Sequence, residues 1–413
     1  MKLTTEEQAM LDGRMGEPVR RALALQLEVG RFYDAERFVP VSNVHMMGDI
    51  EVMGDAGLEH LRRLAREHAR CAVDITTNAR CFDFAHVDAL GQDKGEADKE
   101  RELIGLLRRM NVMTTDTCIN YQTLYQPHFG EHLAWGDTGT VIWANSVCGA
   151  RTNFESGPAA MAAAMTRRVA EYGFHLDRHR RGTFVVEVQA RLEDPAEWGA
   201  LGKLVGEAHQ SYFEVPAFTG IARAPGADGL KHLGASLASY GSMAMYHMVG
   251  VTPEAPGLAA ALGGNRPHTT MTVTDADIER VFAGYANRDG SCNFVVFSGP
   301  QLSLFELKRL AELFAGRRVQ PGTTVFVTSS NGVFAAARTL GYAQALEAAG
   351  VTLLEGVCVY ILQDLSRMRA RNGWTNMISN SAKIVNTITA HKFNTILRRT
   401  ADCVEIACSG VFK

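Results

Sequence analysis

Three cysteines stand beside short polar or glycine-bearing stretches: Cys118 in TTDTCINY, Cys292 in DGSCNF and Cys358 in EGVCVY. All three fall close to expected strand ends. Thiolates gathered there could hold a soft metal ion or an iron–sulfur cluster. The plain alternative is that each is a small buried hydrophobe. A second candidate is the run NSVCGARTNFES, Asn145 to Ser156, which suits a polar loop better than a strand or helix. Arg151 could grip a carboxylate through paired hydrogen bonds, with Asn145, Ser146, Thr152 and Asn153 as oriented polar partners. An arginine that serves loop carbonyls is the ordinary alternative. SNVHMMGD opens with Ser42, a candidate substrate contact, and carries His45, an acid, base or ligand by chemistry and a core histidine by default. The Asn/Ser-rich island WTNMISNSAK ends in Lys383, which could hold an anionic substrate or charge on an oxygen. Ser381, a candidate catalytic group, serves equally well as a helix N-cap, as does Asn380.

The elements that must position these residues follow an α/β rhythm. Helices are expected over Gly57–His68 and Glu100–Arg109, from their apolar spacing. CAVDITT begins like a strand and runs into a polar loop; Val112–Cys118 reads as a short strand ending in a loop. Thr140–Val147 reads as another apolar approach to the polar loop. A helix then starts at Pro158 and stops near Gly173, and Thr183–Leu192 is a strand. Leu233, Leu237 and Ala238 can line one helical face, and Met243, Met245 and Met248 are core fillers. Beyond a Pro/Gly-rich stretch near 253–265, strand and helix alternate to about 360. Thr274 with Asp277 and Ser303 with Glu306 have capping spacing. Thr324–Ser329 reads as a strand and Leu353–Leu362 contains another, with a helix over Val333–Leu346 interrupted at Gly341. Such alternation predicts parallel sheets with crossover helices and ligands where loops leave the strands.

The 413 residues suffice for several lobes, and a formal charge of -3 gives no electrostatic case for nucleic acid. Acids occupy the N-terminal segment where a signal peptide has its apolar core, and no apolar run approaches a membrane span. A cytoplasmic protein with reduced thiols is expected. The chain contains no GxSxG, P-loop or HExxH motif, which argues against the hydrolase, nucleotide-dependent and zinc-protease classes.

Taken together, TTDTCINY, ANSVCGARTNFESG, LKHLGASLASYG, YHMVGVTPEAP, GPQLSLFELKRLAELFAGR, EGVCVYI and MISNSAK resemble the large subunit, or catalytic domain, of the aconitase X family. The resemblance implies an aconitase-like fold of repeated α/β lobes. The N-terminal and central lobes are expected over 1–260 and a C-terminal lobe over 261–413. It further implies a small swivelling domain outside this chain, hence a separately encoded small-subunit partner. The implied activity is dehydration of cis-3-hydroxy-L-proline to Δ1-pyrroline-2-carboxylate. Mevalonate 5-phosphate dehydration is the rival, and a non-catalytic scaffold subunit the reading outside enzymology. In the implied chemistry Arg151 and Asn153 orient the carboxylate, with Ser146 or Ser381 nearby. Lys383 stabilises enolate charge, and a serine of the small domain serves as base. The implied cofactor is an iron–sulfur cluster, 2Fe–2S ahead of 3Fe–4S or 4Fe–4S, with Cys118 and Cys358 on ligand positions. Gly299 stands where the family has its third cysteine, so a relocated ligand is expected, Cys292 first and Cys148 second.

Overall fold

The computed structural model describes residues 1–287 and 289–412. Its strands are short, and all but one pair run parallel. In the first sheet the order is Val112–Met113, Asp74–Thr77, Asn43–Met46 and Ala134–Trp135. In the second it is Thr270–Val273, Phe184–Val188, Pro216–Thr219 and His247–Met248. The third, of five strands, runs Thr352–Glu355, Thr324–Ser329, Phe294–Phe297, Asn376–Ser379 and Asn394–Leu397. Among the described residues only Phe38–Pro40 and Arg168–Ala170 pair antiparallel, away from these sheets. The strands read as near-continuous buried runs, FVVF and TVFVTS for example, because helices cover both faces of a parallel sheet.

The chain begins its first and third sheets in the middle and builds outward in both directions. Asn43–Met46 has its successor on one side and Ala134–Trp135 on the other; Phe294–Phe297 likewise lies between Thr324–Ser329 and Asn376–Ser379. At such reversals the loops leaving neighbouring strands diverge and open a crevice at the carboxyl ends.

Two sequence expectations change. Thr270–Val273 pairs with Phe184–Val188, so the second lobe runs past residue 260, and the helix Asp275–Ala283 packs against Pro195–Ala208. The division belongs after that helix, not between 260 and 261. Thr140–Val147 lies almost wholly in a helix, Thr138–Ser146, capped by Asp137, whose carboxylate accepts from the Gly139 and Thr140 amides. Its residues from Gly139 onward are all buried, which erases the polar face by which a helix is recognised.

The helices Pro195–Ala208 and Ala227–Gly241 pack closely along their length. A Cβ on Gly202 would sit 2.7 Å from Ser236 Cβ and 2.8 Å from the Leu233 carbonyl oxygen. Gly202→Ala is therefore expected to destabilise the protein by about 1–3 kcal/mol through overpacking, read as a lower urea midpoint with unchanged m-value.

Candidate active site

The switch points of the first and third sheets face one another. From the first comes Asp137, directly after Ala134–Trp135; from the third come Ser298, Gly299 and Gln301, after Phe294–Phe297, and Ser381 and Lys383, after Asn376–Ser379. Lys383 Nζ lies 3.6 Å from Asp137 Oδ1, with both side chains largely enclosed. Burial works against the ammonium, but the Asp137 carboxylate, joined by Cys118 and Cys358 where these are ionised, outweighs it and raises Lys383 above its ordinary value. Lys383 is therefore a fixed positive charge, held by the first lobe and carried by the third.

Cys118 and Cys358 arrive on neighbouring loops, and Gln301 ties both loops together. Its backbone N–H donates to Cys118 Sγ at 3.2 Å, and its side-chain oxygen accepts from the Cys118 N–H at 3.1 Å. Its amide nitrogen donates to the carbonyls of Asp116 and Val357, each at 3.2 Å. Ser298 Oγ stands 4.0 Å from Cys358 Sγ and accepts from Thr328 Oγ1 at 2.7 Å. Burial, with Asp137 and Cys358 alongside, pushes the Cys118 thiol up to about 12, while Lys383 and the Gln301 amide pull it down. Burial also raises Cys358 against the pull of Lys383. Both thiols stay protonated at neutral pH unless a cation displaces the proton.

Among the described residues no third cysteine is seen to join them. Cys292 lies before Phe294–Phe297, at the opposite end of that strand from Ser298; its thiol contacts the Asn287 amide and the Gly290 carbonyl. The strand between spans about 13 Å at 3.3 Å per residue, which corrects the relocation to Cys292. Cys148 follows the helix Thr138–Ser146 and packs at the margin of the core. Gly299 has φ +60, and a Cβ there would lie 3.1 Å from Ile384 Cβ, so its local geometry suits glycine. As the seat of a cluster on three protein thiolates the site does not fit; two thiolates are what it offers. Cys292→Ala is expected to leave steady-state turnover unaltered, at a stability cost of about 1 kcal/mol for the small void.

The polar loop is placed elsewhere. Arg151 donates to the His175 carbonyl at 2.8 Å and pairs with Asp177. Asn145 donates to the carbonyls of Thr152 and Ala244, each at 2.9 Å, and accepts from the Thr152 N–H. Ser146 Oγ accepts from the Tyr246 N–H, Thr152 Oγ1 from the Trp135 N–H, and Asn153 brackets the turn at Tyr172 and Phe174. These hydrogen bonds hold the loop against the core, so the assignment of Arg151, Asn145, Ser146, Thr152 and Asn153 as substrate contacts is corrected to a structural one. Ser42 is exposed at the amino end of Asn43–Met46 and bonds Glu131, away from the crevice.

His45 is near the right end of its strand but wholly enclosed. Nδ1 meets Thr76 Oγ1 at 2.7 Å, while Nε2 makes no well-formed hydrogen bond. Burial drives it down to about 4 despite the Asp137 carboxylate and the Asn78 amide, so it stays neutral behind the site. Ser381 Oγ donates to the Gly299 carbonyl and accepts from the Ile384 N–H at 3.3 Å. It is an N-cap that fixes the Gly299 loop. Asp137, Ser298 and Gln301 are the participants that sequence reasoning passed over; the Asp-Thr-Gly-Thr run after an apolar LAW was a legible cap signal for Asp137.

Three parallel α/β lobes bring a lysine, a carboxylate and two thiols together at facing switch points, an enclosed polar constellation suited to acid–base or Lewis-acid chemistry. Family models match along the chain: aconitase X first domain over 1–178, second domain over 182–283 and third domain over 292–409. The crystal structure of Thermococcus kodakaraensis aconitase X (holo-form) superposes with a TM-score of 0.87 at 30% identity, covering 98% of this chain and 100% of that one. The phosphomevalonate dehydratase large subunit of Methanothermobacter thermautotrophicus is 33% identical over 94% of this chain and 93% of its own length. The cis-3-hydroxy-L-proline dehydratase of Pseudomonas aeruginosa is 32% identical over 99% of this chain and 70% of its own length. The chain belongs to the aconitase X family, and its class of activity is that of a hydro-lyase.

Proposed function

We propose that this chain is the large subunit of a dehydratase acting on a β-hydroxy carboxylate, with mevalonate 5-phosphate as the substrate. The observation that carries the reaction class is the enclosed Lys383–Asp137 pair between the switch points, beside two thiols. The substrate is supported by the phosphomevalonate dehydratase large subunits, which match this chain nearly end to end. The cis-3-hydroxy-L-proline reading stays in play because its relative aligns over 99% of the chain.

Both substrates pose the same problem. A proton leaves the carbon α to the carboxylate, the electron pair forms the new double bond, and the β-hydroxyl departs as water. Negative charge grows on the carboxylate oxygens as the proton leaves. Lys383 meets that charge with a preformed ammonium, and Asp137 holds it in place without a reorganisation step. Ser381 and Gln301 keep the Gly299 loop and both cysteine loops in register around it. Cys118 and Cys358 are the groups that could hold an iron centre, a Lewis acid for the departing hydroxyl; the roles above do not depend on it. Ser381 is engaged as a cap and His45 is walled off, so the base is assigned to a small partner subunit that closes over the crevice.

The test is side-by-side turnover of mevalonate 5-phosphate and cis-3-hydroxy-L-proline by the chain combined with its small partner, with formation of the unsaturated acid as readout. Turnover of the phosphate compound is the expected result. Turnover of hydroxyproline alone would transfer the assignment to the second reading, and turnover of neither would discard both.

A further inference from the structure

At the edge of the second sheet away from the carboxyl ends of its strands, three loops meet on Thr183. His209 ends the helix Pro195–Ala208, Glu214 stands two residues before the strand Pro216–Thr219, and His268 stands two before Thr270–Val273. Among the described residues this is the one group of histidine, cysteine and carboxylate side chains with a ligand atom from each of three members within 4.8 Å of the others. The geometry points to a divalent transition-metal site of the zinc class, held by His209, Glu214 and His268.

The surroundings are built as such a site requires. The Thr183 carbonyl accepts from the His268 N–H at 2.9 Å, and its N–H donates to the Val215 carbonyl at 2.9 Å, so the loops bearing Glu214 and His268 are tied to one backbone residue. Thr183 Oγ1 donates to Glu214 Oε2 at 2.5 Å, which leaves the other carboxylate oxygen for an ion. His268 Nε2 lies 2.9 Å from Glu214 Oε2 and 3.2 Å from Oε1. The His209 ring stacks on Phe184 with centroids 3.9 Å apart, and the His268 ring leans on the same phenyl at 5.7 Å. Neither ring nitrogen of His209 has a hydrogen-bond partner among the described residues, although the ring is half-buried and faces this carboxylate. Two neutral imidazoles and one carboxylate suit zinc-class ions with bonds of about 2.0–2.1 Å, leaving a fourth position for water. The candidate ligand atoms already lie within 4.8 Å of one another. Without an ion, His268 Nε2 and the Glu214 carboxylate contact one another directly; with one, three loops of the second lobe share a single clamp.

Cobalt(II) distinguishes this site from the cysteine pair, because thiolate ligands give an intense sulfur-to-metal charge-transfer band and nitrogen/oxygen ligands do not. The full chain, stripped of metal and titrated with Co2+, is expected to take up one equivalent with a visible ligand-field band of nitrogen/oxygen type. Zinc is expected to displace that cobalt. His209→Ala and His268→Ala, each checked by circular dichroism for an intact fold, should lose the band while keeping any sulfur-type signal. Thr183→Val should weaken the affinity on the order of tenfold, since it removes the hydroxyl that fixes Glu214. Absence of the nitrogen/oxygen band in wild type, or its persistence in both folded histidine variants, would overturn the site.

Discussion

Lys383→Ala is expected to lower kcat/KM of the assembled dehydratase by about 10²- to 10³-fold, with the fold retained. The size follows from what the residue replaces. Water would have to reorganise around the growing carboxylate charge, whereas the Lys383 ammonium is already there, enclosed and held by Asp137. Lys383→Arg keeps the charge but spreads it over a planar fork, so it should recover only part of the loss. Asp137→Asn should act through the lysine and lower activity less. Steady-state kinetics on the three variants, with circular dichroism alongside, measure this series. Full activity of Lys383→Ala would remove the lysine from the reaction.

The largest effect on stability is expected at Glu306. This residue closes the capping box of the helix Leu304–Leu313: Oε2 accepts from the Ser303 N–H at 2.8 Å, and its own N–H donates to Ser303 Oγ at 3.1 Å. The same carboxylate pairs with Lys231, whose side chain has no exposure, and with His232 Nε2 at 2.7 Å. Lys231 also donates to the Gln301 carbonyl at 3.1 Å, which links the pair to the loop beside Cys118. Glu306→Ala takes away the shorter of the two carboxylate contacts of the buried Lys231 ammonium, leaving Asp228 at 3.3 Å, and opens the capping box as well; it is expected to cost about 3 kcal/mol in urea unfolding. Replacing Lys231 by Met and Glu306 by Gln together should cost less than Glu306→Ala alone. The pH dependence has a definite sign. Burial raises the Glu306 carboxyl, but Lys231 and His232 outweigh it and hold the group down at about 2. Its stabilisation is present above the unfolded value near 4.5 and is lost as pH falls from there towards 2. Glu306→Ala should therefore show a flatter acid limb than wild type; an identical limb would contradict the assignment.

Local signals carried most of the fold. The Ser303/Glu306 and Thr274/Asp277 boxes form where their spacing placed them, and Thr324–Ser329 is a strand over those same residues. Met243, Met245 and Met248 are core. Gly341, at φ +81, does split the helical stretch in two. Burial hid two of the helices. Thr138–Ser146 and Pro158–Thr166 are buried on nearly every side, so neither shows a helical period, and the second ends at Thr166, well before Gly173. The site was half legible. Cys118, Cys358 and Lys383 do come together, whereas the more conspicuous Arg151 loop is polar because it must satisfy its own backbone. Asp137 looked like a mere helix cap because it is one, and its second role depends on a lobe that local sequence cannot place.

The stitch made by Gln301 has a kinetic consequence. It joins the Cys118 loop across 183 positions of chain, and no contact within a single lobe can substitute for it. Each parallel sheet can condense from its own neighbourhood, but the crevice requires two finished lobes to meet across a long closed loop, where the entropy of closure is greatest. In a refolding chain the helical signal is therefore expected to return before activity does, which stopped-flow circular dichroism beside an activity-recovery assay would check.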